Sequence, residues 1–77
     1  MYVMISRNNC VYCDRAKALL REHRKGVVVY NIEEPSSKWV LSLLKIAGLT
    51  TVPQIFDNKG HHIGGYSDLA ASLGLDQ

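Results

Sequence analysis

The residues best equipped for chemistry are Cys10 and Cys13, three apart in "RNNCVYCDRAK" (7–17), where a short apolar run gives way to a basic, helix-like segment. Two thiols at this spacing can serve as a structural bridge, half of a metal site or a reactive pair. A bridge closing so small a loop adds little, because the entropic benefit of a crosslink grows with the number of residues enclosed. A structural zinc ion needs four ligands, and beyond the cysteines the chain offers only His23, His61 and His62. Adjacent histidines cannot reproduce the wider ligand spacing of a zinc finger, so no metal is expected. The redox reading explains more.

At a helix start, unpaired backbone N–H groups and the positive end of the dipole stabilise an anion. Cys10 falls at such a start, and Arg7 precedes it by one turn's worth of chain. Both effects are expected to lower the Cys10 thiol pKa, and the thiolate is the nucleophile of disulfide exchange. Cys13 lies one turn further in, on the face of Ala16 and Leu20, and is expected to be more buried and to resolve the adduct. Side chains at i and i+3 are neighbours, so the pair can be bridged without rearranging the helix.

The surrounding pattern must place these thiols. "YVMIS" (2–6) is apolar at all but its last position, as expected of a central strand covered on both faces. From residue 9 onward, Cys13, Ala16, Leu19, Leu20 and His23 follow helical spacing, with Arg15, Arg21, Glu22 and Arg24 opposite and Gly26 as the stop. "VVVYNI" (27–32) reads as a second strand, and strand–helix–strand with tight connections implies a right-handed parallel unit. A second helix follows, with Ser36 or Ser37 as N-cap and Gly48 as stop; Trp39, Val40, Leu43, Leu44 and Ala47 form its expected buried side. "PQIF" and "HHIGG", joined by "DNKG", read as a hairpin, and "SDLAASLG" as a last helix capped by Ser67, with Asp68 a favourable first-turn charge. The expected fold class is α/β in the order βαβαββα, a mixed four-stranded sheet with three helices, forming one domain over 1–77.

Composition narrows the setting. With 77 residues, 47% of them apolar, stability must come from packing one small core. Two cysteines fit a reducing compartment better than a bridge-dependent secreted domain, and a cytoplasmic location is expected. The opening "MYVMISRNN" is too short an apolar run for a signal sequence, and no stretch approaches the ~18 apolar residues of a membrane span. A formal charge of +2 does not point to nucleic acid, although Arg7, Arg15, Lys17, Arg21, Arg24 and Lys25 crowd the first third. These basic residues read first as a solvated helix face; the alternative reading is mild attraction for an anionic substrate or an acidic partner. With no apolar stripe expected to remain exposed, the protein is expected to be a monomer.

"CVYC", "TVPQIF" and "HIGGYSDL", in this order and spacing, resemble the glutaredoxins, in particular the short dithiol ones of bacteria and bacteriophages. The resemblance covers nearly the whole chain and implies the thioredoxin fold. It implies that Cys10 forms a mixed disulfide with glutathione, that Cys13 resolves it, and that Tyr12 lines the glutathione groove. Thr51, Val52 and Pro53 resemble the family's cis-proline loop, whose Val52 main-chain groups would pair with the cysteinyl part of glutathione. Gly64 and Gly65 permit close backbone approach. Gly65, Tyr66, Ser67 and Asp68 would hold the γ-glutamyl end, helix-start amides taking its carboxylate and Asp68 its ammonium. Arg7 is the candidate for the glycyl carboxylate, with Lys38 and Lys45 as further candidates. The implied activity is glutathione-dependent thiol–disulfide exchange on glutathionylated or disulfide-containing proteins, ribonucleotide reductase among them.

Two departures stand out. Val11 occupies the position where the family commonly has proline, restoring a backbone donor and freeing φ. The sequence also stops soon after the last helix, so family contacts beyond Leu75 are expected to be missing. Two other functions fit less well. A thioredoxin reduced by a flavoprotein reductase would carry tryptophan before the first cysteine, Gly-Pro between the two and a buried carboxylate in the second strand. A glutathione-ligated iron–sulfur carrier usually has a single active-site cysteine.

Overall fold

The computed structural model describes residues 1–74; the expectation attached to the chain beyond Leu75 lies outside them. Strand β1 (Tyr2–Ser6) runs through the middle of a sheet ordered β2-β1-β3-β4. Its side chains alternate between two layers. Tyr2 and Met4 join Ala16, Leu19, Leu20, Ile55, Leu69 and Ala70 on one side, and Ile5 joins Val40 and Leu44 on the other. Helices α1 (Val11–Glu22) and α3 (Tyr66–Ser72) cover the first face, and α2 (Lys38–Ile46) covers the second. Strand β2 (Val27–Asn31) pairs parallel with β1, Tyr2 opposite Val27 and Ser6 opposite Asn31. Strand β3 (Gln54–Phe56) returns antiparallel, Met4 opposite Ile55, and β4 (His62–Gly64) closes the far edge across an irregularity at Ile55 and Phe56. The order is βαβαββα, as the hydrophobic spacing predicts.

The structure corrects several boundaries. Helix α1 ends at Glu22, well before Gly26, because Arg24 takes the left-handed conformation (φ 57°) that closes the helix. The Lys25 amide then donates to the Leu20 carbonyl at 2.8 Å and the Arg24 amide to Arg21 at 3.0 Å, a Schellman closure made without glycine. Helix α2 does stop at Gly48 (φ 73°), where glycine takes that conformation freely. At its start, Ser37 holds the N-cap position but makes no capping bond, and Ser36 lies in a 3-10 turn, Pro35–Ser37, that leads into the helix. Helix α3 begins at Tyr66 with Gly65 as N-cap, so Ser67 lies inside its first turn and does not cap it.

The largest correction concerns α2. Val40 and Leu44 are buried as expected, but Trp39 is 55% exposed, Leu43 54% exposed, and Ala47 also faces outward. A nine-residue helix that is, among the described residues, the one α-helix on its face of the sheet buries only a narrow stripe. The other apolar positions remain on the surface, and the premise behind the expected monomer does not hold.

The turn joining β3 to β4 is organised by one side chain. Asp57 accepts from the amides of Lys59 (2.8 Å) and His61 (2.9 Å). The His61 amide above all holds its carboxyl below the usual range; burial opposes this, and the Lys59 amide and the His61 ring add lesser lowering effects.

Candidate active site

Strand β1 delivers the chain to residues 7–9, where three polar side chains fix its exit. Asn8 accepts from the Asn31 amide at 2.8 Å, its own N–H donates to Glu33, and Asn31 accepts from the Glu33 amide at 2.9 Å. The loop before the cysteines is thereby tied to the end of β2. Asn9, at φ 54°, makes the turn that aims Cys10 at the helix; asparagine is among the residues that tolerate this region.

Cys10 is the N-cap of α1, and its Sγ accepts the Cys13 amide at 3.2 Å. The sulfur thus occupies the place usually taken by a capping oxygen, facing donors the helix cannot satisfy itself. Cys10 and Cys13 are joined as a disulfide with Cα atoms 5.2 Å apart. Cys13 is 1% exposed and Cys10 9%, the order the helical spacing predicts.

Across from the disulfide stands the loop of residues 51–53. The Val52–Pro53 peptide is cis, and the Val52 carbonyl lies 4.0 Å from Cys10 Sγ. Among the described residues the Val52 amide has no hydrogen-bond partner. Gln54, a buried polar residue at the start of β3, anchors this loop: its Nε2 donates to the Thr51 carbonyl (2.9 Å) and hydroxyl (3.3 Å). Its Oε1 then faces His62 Nε2 at 2.7 Å, which requires that nitrogen to carry the proton.

The third wall is the start of α3. Asp68 Oδ2 accepts the Gly65 amide at 3.2 Å, the carboxylate half of a capping box. The same carboxylate fills the space a Cβ on Gly64 would need, and Gly64 sits at φ 123°, so only glycine fits there.

These walls enclose a groove of about 310 Å³ that brings together Tyr12, Thr51, Val52, Pro53, Gly65, Tyr66, Ser67 and Asp68, all residues singled out in the sequence. Tyr12 and Tyr66 flank its mouth with ring centroids 6.0 Å apart, and the Arg15 guanidinium lies over Tyr12 at 5.2 Å. Arg7 and Lys45 line an adjoining groove of about 460 Å³ that shares Thr51 and Val52 with the first. Lys38 lines neither groove. Asp68 thus lies in one groove and Arg7 with Lys45 in the other, and Cys10 Sγ stands beside the carbonyl of Val52, a residue that lines both. Sequence reading missed Gln54 and the Asn8–Asn31–Glu33 ties; a glutamine in the otherwise apolar "PQIF" was the one visible signal.

The "Glutaredoxin" family model matches residues 2–63. Glutaredoxin 3 of Escherichia coli K12 is 41% identical over 66 residues, covering 86% of this chain and 77% of that protein. Glutaredoxin-C4 of Arabidopsis thaliana is 38% identical over 68 residues, covering 86% of this chain and 50% of that protein, so the chain spans half the length of that relative. A crystal structure of a buckwheat glutaredoxin–glutathione complex superposes with a TM-score of 0.77 at 28% identity, covering 96% of this chain and 70% of that one. The architecture is the thioredoxin fold.

Proposed function

Since the chain belongs to the glutaredoxin family, we propose that it is a thiol–disulfide oxidoreductase that draws its electrons from glutathione. The observation that carries this reading is the placement of Cys10 Sγ, held by the Cys13 amide and 4.0 Å from the carbonyl of Val52, a residue that lines both grooves. In the reduced protein the helix start and that amide favour the thiolate over the thiol.

The Cys10 thiolate attacks the glutathionyl sulfur of a mixed disulfide. The substrate's S–S bond breaks, a Cys10–glutathione disulfide forms, and the substrate thiolate leaves and takes a proton from solvent. A second glutathione thiolate then attacks the glutathionyl sulfur, releasing oxidised glutathione and the Cys10 thiolate. With a protein disulfide, Cys10 first forms an intermolecular bond. Cys13 then attacks Cys10 Sγ and frees the reduced substrate, and two glutathiones return the Cys10–Cys13 disulfide to the dithiol. The Val52 amide and carbonyl pair with the cysteinyl part of glutathione, the start of α3 and Asp68 take its γ-glutamyl end, and Arg7 with Lys45 takes its glycyl carboxylate.

Glutathionylated proteins and protein disulfides, ribonucleotide reductase among them, are the proposed substrates, met in a reducing cytoplasm. The expected result is turnover of a small glutathione mixed disulfide with glutathione as sole donor. Turnover that appears only with thioredoxin reductase would assign the protein to the thioredoxin route. Visible absorbance after anaerobic purification would assign it to iron–sulfur carriage.

A further inference from the structure

Among the described residues the sheet ends at β2, which is paired on one side only. Folded proteins usually blunt such an edge with lysine, proline or a bulge, because its open N–H and C=O groups are a template for another strand. Val27–Asn31 has none of these: "VVVYN" is uncharged and runs in unbroken register along β1. Val28 and Val29 are both partly exposed, and Tyr30 meets the exposed Trp39 edge-on at 5.9 Å. Charge lies only beyond the strand. Exposed Arg24 and Lys25 precede it, and exposed Glu33 and Glu34 follow it.

That pattern is complementary to itself when reversed. We propose that β2 pairs antiparallel with β2 of a second copy of this chain, about a two-fold axis through Val29, joining two four-stranded sheets into one. In this register Val28 lies opposite the second copy's Tyr30, a favourable cross-strand pairing of a β-branched with an aromatic residue. Lys25 and Arg24 approach the second copy's Glu33 and Glu34, so opposite charges meet at both ends of the ladder. Parallel pairing would instead bring lysine to lysine. Packing through α2 is disfavoured in the same way, since α2 carries Lys38 and Lys45 and no acid. Val28, Tyr30 and Trp39 share one face of the sheet, so pairing covers part of the exposed indole.

Sedimentation velocity of the whole chain, taken up to about 1 mM, tests the pairing. The weight-average mass is expected to rise from one chain toward two, with a concentration-dependent shift in the emission of Trp39, the only tryptophan. Val29→Lys places like charges on the axis and is expected to hold the protein monomeric. Arg24→Glu is expected to weaken association by at least severalfold, and adding Glu34→Arg to restore it. A wild-type chain that stays monomeric throughout overturns the proposal. So does association that ignores Val29→Lys and the charge exchange but is lost with Leu43→Ser, since the interface would then be α2.

Discussion

Among the side chains that build the site, three have duties that can be separated. Cys10→Ser is expected to lose reduction of both glutathione mixed disulfides and protein disulfides. Cys13→Ser should keep the first and lose the second, since Cys13 acts only to resolve a protein adduct; parallel assays with the two substrate types check this. Gln54→Leu keeps a buried side chain of similar size but frees the Thr51 carbonyl. KM for a glutathione mixed disulfide is expected to rise about fivefold with kcat little changed, the equivalent of one hydrogen bond of ~1 kcal/mol. An unaltered KM would show that the loop needs no such anchor. The cysteines and most of the groove were legible in the sequence, because short motifs fix their local chemistry. Gln54 was not, because its worth lies in a bond to Thr51 that exists only once β3 and the cis-proline loop are side by side. Ser67 misled for a related reason: serine suits an N-cap, but Asp68 reaches back to Gly65 and sets the helix start two residues earlier.

At the level of elements, helix ends and turns show where general propensity was overruled. Gly26 looked like the natural stop for α1, yet Arg24 closes it from the left-handed region, a conformation that costs a side-chain-bearing residue about 1 kcal/mol or more. Arg24→Gly should therefore stabilise the protein by about 1 kcal/mol, measured by urea unfolding in dilute solution. The hairpin turn gives a pH prediction. Because the folded structure depresses the Asp57 pKa, its contribution is fully present above the unfolded value of 3.8 and is lost as pH falls through the lower folded value. Asp57→Asn is expected to flatten the acid limb of a stability-against-pH curve while leaving its neutral region nearly level. The α2 boundary at Gly48 was read correctly, since there the sequence supplied the residue that the geometry prefers.

For the molecule as a whole, the two faces of the sheet are unequally covered. Among the described residues, two helices bury the Met4–Leu20–Ile55–Leu69 side, whereas the Ile5–Val40–Leu44 side has one short helix. Leu20→Ala should cost about 2–5 kcal/mol in chemical denaturation, while Leu43→Ser should stay within about 0.5 kcal/mol. Hydrophobic spacing alone predicted a wider buried stripe for α2, because spacing shows which residues share a face and not how much neighbouring structure arrives to cover it. The cleft has a different relation to the letters that encode it. What position 52 offers beside the sulfur is an amide and a carbonyl, and every residue type except proline owns both. Mutational drift can therefore replace this valine by many others without erasing the feature, while a lone proline there would silence it.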